Sequence, residues 1–147
     1  MRRKQAGRGV DLSAFSTDEV LTLNQYNVFP NATILVAADM LTVMFSRPGA
    51  TPDDGTLTIM HFDRAASSDS PRTRPIDASV PFAEANFGFV LNQDTNVLRT
   101  AQVGLHQPGF THLTLSSEEA RLINTHRNLE RYLDIVPSEM SGGPERD

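Results

Sequence analysis

The chain has 147 residues, 39% of them hydrophobic, enough for one small α+β core and too few for a second. It contains no cysteine, which excludes disulfides, thiol nucleophiles and every cysteine-ligated zinc or iron–sulfur site. A net charge of −5 argues against phosphate-backbone binding, so nucleic acid is not an expected partner. No run approaches the roughly 18 consecutive apolar residues of a membrane span, and a soluble, cytoplasmic protein is expected.

The N-terminus carries Arg2, Arg3, Lys4 and Arg8 with no apolar segment behind them, and residues 1–17 are read as a flexible basic tail. Short runs rich in Leu, Val, Ile, Thr, Met and Phe follow at 21–28, 33–37, 40–45 and 56–62, predicting four antiparallel strands. Pro30 and Asn31 separate the first two, Ala38 and Asp39 make a tight reversal, and residues 48–55 form a longer hairpin loop. On the last strand Leu57, Ile59 and His61 share one face and Met60 and Phe62 the other, so this sheet expects cover on both sides.

Residues 64–79, crowded with Ser, Pro and Arg, have no apolar period and predict an exposed loop. Beyond it the period changes. Val97, Leu98, Ala101 and Leu105 recur at three-to-four spacing, predicting an amphipathic helix from about Asp94 to His106, stopped by Pro108 and Gly109. Ser116, Ser117, Glu118 and Glu119 have capping-box spacing and open a second helix through Leu122, Ile123, His126, Leu129 and Leu133. Residues 137–147 are polar and punctuated by Gly and Pro, a disordered tail. Strands followed by helices give an α+β order, with the helices packed on an antiparallel sheet.

Three stretches carry a family resemblance: Phe29, Pro30 and Asn31 within the first hairpin; Asp94 leading a helix that contains Gln102, Gly104 and Leu105; and the Ser116 helix with His126 and Leu129 downstream. In this order and spacing the chain resembles, over residues 18–133 and with a domain drawn at 18–136, the C-terminal part of the catalytic domain of Rieske non-haem iron, aromatic-ring-hydroxylating oxygenase α subunits. The resemblance implies an oxidoreductase of the mono- or dioxygenase type. It also implies a partial helix-grip (Bet v1-like, START-like) fold, in which a curved antiparallel sheet is packed by a long helix plus a C-terminal helix.

In that family two histidines and one carboxylate hold a mononuclear Fe(II), leaving positions open for dioxygen and substrate. The carboxylate maps onto Asp94. Local pattern also allows Asp94 to be an N-cap, accepting backbone N–H bonds at the positive end of the helix dipole. Phe87, Phe89, Leu98, Met60 and His61 are the expected lining of a pocket for a hydrophobic substrate. The family's two histidine ligands precede this region a few residues apart; no histidine lies in residues 1–20 and no HxxxH or HxxxxH pair occurs. His106 is twelve residues beyond Asp94, about 18 Å along a helix, too far to share an iron. A [2Fe–2S] Rieske cluster needs two cysteines and two histidines, so this chain does not bind one.

The resemblance therefore implies a portion of an oxygenase that is inactive alone. Its expected partners are a complementing N-terminal half carrying the Rieske domain and two iron-ligand histidines, or further copies of itself as a homo-oligomer, and the reductase or ferredoxin of the whole system. Two other readings stay open: a non-catalytic helix-grip domain that binds a hydrophobic small molecule among Met40, Met44, Met60, Phe62, Phe87 and Phe89, and an inert fragment.

Overall fold

The computed structural model describes residues 5–72 and 74–135, so the tail expected at 137–147 lies outside the described residues. The elements are α1 (Thr17–Leu21), β1 (Asn24–Val28), β2 (Ala32–Val36), β3 (Met40–Arg47), β4 (Thr56–Asp63), α2 (Phe89–Leu105) and α3 (Ala120–Tyr132). Single 3₁₀ turns at Phe82–Glu84 and Ser117–Glu119 precede the two longer helices. The α+β class expected from the sequence is what the chain adopts.

Two compact units divide the chain: Met1–Ser68 with Leu115–Asp147, and Asp69–Thr114. The first holds a four-stranded antiparallel meander in the order β1-β2-β3-β4. Its registers run Tyr26 opposite Ile34, Ile34 opposite Val43 and Val43 opposite Met60. β2 and β3 turn on Ala38 and Asp39, closed by the Ala37 N–H donating to the Met40 carbonyl at 3.0 Å. The β3–β4 loop needs glycine at Gly49, where a Cβ would collide with the Asp54 backbone carbonyl.

The first expected strand is shorter than its apolar run suggested. Ser16 accepts from the Glu19 N–H at 3.2 Å while the Glu19 carboxylate accepts from the Ser16 N–H at 2.8 Å. This capping box draws Thr17–Leu21 into a helix, so pairing begins only at Asn24.

A larger correction concerns residues 1–17, which from Gln5 onward are not a flexible tail. The buried core is Val10, Leu12, Val20 and Ala38, with Phe15 packed against it, so half of it comes from that segment. The physical reason is that Val10 and Leu12 leave water against Val20 and Ala38, and the polar groups buried with them find partners. Gln5 donates to the Asp39 carboxylate, both residues being buried. Arg64 donates to the Ala38 carbonyl at 2.6 Å and lies 5.0 Å over the Phe15 ring. Arg8 reaches Asp63 at 2.8 Å. The arm thus closes one end of the sheet, while Tyr26, Val28, Met60 and Phe62 remain exposed. On α3, Tyr132 meets Phe29 edge-on at 6.0 Å.

In the second unit residues 74–81 have no regular structure, in keeping with the expected loop, and α2 is the principal element.

Candidate functional site

The helix that carries Asp94 begins earlier than its periodicity indicated. Gly88 is the N-cap with φ 83°, a left-handed conformation that glycine adopts without a Cβ clash. The turn before it is tied by side-chain amides: the Asn92 carbonyl oxygen accepts from the Phe87 N–H at 2.9 Å, and the Asn86 carbonyl oxygen accepts from the Gly88 N–H at 3.1 Å and from the Asn92 amide at 2.9 Å. These bonds occupy the region where a cap is needed, and α2 starts at Phe89. Asp94 is then the sixth helical residue, one turn past the N-terminus, and the N-cap reading of it is overturned. Its side chain is exposed.

Leu98 follows Asp94 by four positions and shares its face of α2. Phe89 is five positions before Asp94, on another face, and is 80% exposed. Phe87 precedes the helix and is half-buried. These four residues belong to the second unit, and Met60 and His61 to the first.

Met60 and His61 are consecutive on β4, so they point to opposite faces of the sheet and do not line one surface together. His61 Nδ1 lies 2.9 Å from the hydroxyl of buried Thr42, its cross-strand partner, and Nε2 lies 3.6 Å from Asp63. Arg8 completes the row, and its hydrogen bond holds the Asp63 carboxyl below the ordinary aspartate range, against a smaller opposing effect of burial. A depression of about 330 Å³ opens here, lined among others by Gln5, Arg8, Asp39, Met40, His61 and Asp63. The sequence reading placed His61 near a cavity but missed the arm that supplies Gln5 and Arg8. The alternation of Val10 and Leu12 was the available signal.

An iron site of two imidazoles and a carboxylate is not completed by these residues. Among the described residues no group of three His, Cys, Asp or Glu side chains is placed to hold a metal ion. His106 caps the far end of α2, His112 lies in a coil segment with its Nδ1 2.9 Å from the Thr111 hydroxyl, and His126 is exposed on α3.

An antiparallel meander followed in the chain by a helix with a mid-helix carboxylate defines an α+β domain of the kind expected from the resemblance. Compared with known protein families, residues 2–135 match the one described as ring hydroxylating alpha subunit (catalytic domain). The chain belongs to that family of Rieske-type ring-hydroxylating oxygenases. The match takes in the N-terminal arm that residues 18–133 had left out. No curated protein matches the chain, and no solved structure does. No helix among the described residues is long and apolar enough to cross a membrane.

Proposed function

We propose that this chain supplies the C-terminal part of the catalytic domain of a ring-hydroxylating mono- or dioxygenase α subunit, with Asp94 as the carboxylate ligand of its mononuclear iron. The observation that carries this reading is the position of Asp94: an exposed carboxylate inside α2, relieved of any capping duty, in a chain whose family match spans residues 2–135. A hard anionic oxygen suits Fe(II), and a helix interior fixes its direction better than a frayed end.

The imidazole ligands and the [2Fe–2S] cluster are supplied by polypeptide outside these 147 residues, which hold no cysteine and, among the described residues, no group of three metal-ligating side chains. That polypeptide, together with a ferredoxin or reductase, makes up the working cytoplasmic system. Its sheet would complete the helix-grip fold. Leu98 and Phe87 then line the hydrophobic substrate pocket, with Phe89 at its margin.

The test is anaerobic titration of the whole chain with Fe(II), read as iron retained per chain, for the natural protein and for Asp94→Ala. With Fe(II) alone, retention well below one per chain is expected for both, since a lone carboxylate is a poor iron site. With imidazole added to stand in for the outside histidines, retention should rise in the natural chain and not in Asp94→Ala. Equal retention by both proteins in the presence of imidazole overturns Asp94 as the ligand. Saturation at one iron per chain without imidazole overturns the need for outside donors.

A further inference from the structure

Gly88 is a joint between Phe87 and α2. Its φ of 83° and ψ of 171° lie in a region essentially closed to residues with a side chain, yet a Cβ added there would meet nothing within 4 Å. Glycine stands here for its backbone conformation and not for lack of room. Because glycine takes either sign of φ with little preference, an untied Gly88 would let Phe87 swivel relative to the helix.

Two side-chain amides bridge this joint. The Asn92 carbonyl oxygen, on α2, accepts from the Phe87 N–H at 2.9 Å across Gly88. From the other side, Asn86 Oδ1 accepts from the Asn92 amide at 2.9 Å and from the Gly88 N–H at 3.1 Å. Helix stability does not account for the pair. A cap accepts from N–H groups of the first turn, and an acidic residue there meets the helix dipole, but α2 has neither a side-chain cap bond nor an acidic residue in its first turn. The backbone donors that Asn86 and Asn92 satisfy belong to Phe87 and Gly88, ahead of the first helical residue. What the amides hold is the segment that carries Phe87.

We propose that Asn92 is a positioning residue, locked by Asn86, that fixes the Phe87 ring against the start of α2 and so presets one wall of the pocket for a hydrophobic substrate. A wall ordered in advance spares the ligand the entropy of ordering it. Asn92 acts through Phe87 alone, since it lies two positions from Asp94, on the opposite side of the helix. The role in the pocket rests on the reading of Phe87 as lining, whereas the latch rests on the three hydrogen bonds.

The test uses the whole chain labelled with fluorophenylalanine, the Phe87 fluorine line being assigned through Phe87→Leu. In Asn92→Ala the Phe87 amide should exchange with solvent about tenfold faster and its fluorine line should move toward the unfolded position, with exchange from Val97 to Leu105 unchanged. Asn92→Asp keeps the oxygen that accepts from Phe87, and an Asn86 amide turned over can donate to it, so protection at Phe87 should return. Asn86→Ala should speed exchange at Gly88 and, by releasing the Asn92 amide, at Phe87. Unchanged exchange in both alanine variants overturns the latch. Loss of protection along the whole of α2 overturns it as well, by making Asn92 a support of the helix. If Asn92→Ala does not fold, Asn86→Ala decides. Indole, a neutral aromatic probe, should shift the Phe87 line of the natural chain and shift it less in Asn92→Ala. A latch that holds without any response to indole overturns the pocket role and the reading of Phe87 as lining, while Asp94 stands or falls by the Fe(II) titration.

Discussion

The pair Arg8–Asp63 joins an N-terminal arm to the last residue of a strand fifty-five positions away, and its chemistry has a definite sign. The hydrogen bond from Arg8 lowers the Asp63 carboxyl below the ordinary value of 3.8. A carboxylate whose folded value is depressed adds stability that is fully present above its unfolded value and is lost as pH falls through the folded one. Arg8→Ala and Asp63→Asn should each lower the urea midpoint modestly at neutral pH, since the two side chains are 42% and 47% exposed and screened by water. The difference from the natural chain should close as the pH is taken well below 3.8. A difference that persists undiminished in acid would show that the two residues act through packing. Asp94 is the contrasting case. Its residue type and its place on a helix were readable, but its position within that helix was not, because the helix opens at Gly88, after a turn tied by Asn86 and Asn92, and not at the first acidic residue of the amphipathic run.

Among the elements, strands with strong period-two patterns were the most legible. β3 and β4 cover the expected runs and extend them by two residues and one, because pairing continues to Arg47 opposite Thr56 at the long hairpin and to Asp63 opposite Met40 at the other end. α1 was hidden, although Ser16 and Glu19 have the same spacing that marked Ser116 and Glu119, because Leu21 and Leu23 continue the apolar run into β1. The loop closing β3 and β4 gives an element-level test with an internal control. Gly49→Ala sets a Cβ against the Asp54 backbone and should cost about 1–3 kcal/mol, whereas Gly55→Ala, whose Cβ would meet the Arg47 carbonyl at an ordinary 3.5 Å, should cost much less. Urea unfolding of the two variants checks the ranking. Equal losses would mean that the loop relaxes freely around position 49.

For the molecule as a whole, the notable feature is how little is deeply buried. Among the described residues no large side chain is fully enclosed, and the core of Val10, Leu12, Val20 and Ala38 sits at one end of the sheet. Large apolar residues such as Leu41, Met60, Phe62, Val97 and Leu98 stay exposed, the kind of surface that marks an interaction site. Leu12→Ala should therefore be severe for a residue in the arm, on the order of 2–5 kcal/mol, and should broaden or abolish the unfolding transition. A variant as stable as the natural chain would return the arm to the status of a tail.

The sequence by itself determined the α+β class, the four strands and their turns, the family, and the lack of any cysteine ligand for a cluster, because alternation, turn chemistry and residue content are local properties. Only the tertiary structure decided that the arm is part of the core and that Asp94 is not a cap. The second depends on a local turn that Asn92 ties at the Phe87 N–H, the first on which distant residue satisfies a polar group, Gln5 at Asp39 and Arg8 at Asp63. Spacing along the chain carries no information about partners thirty or fifty residues away.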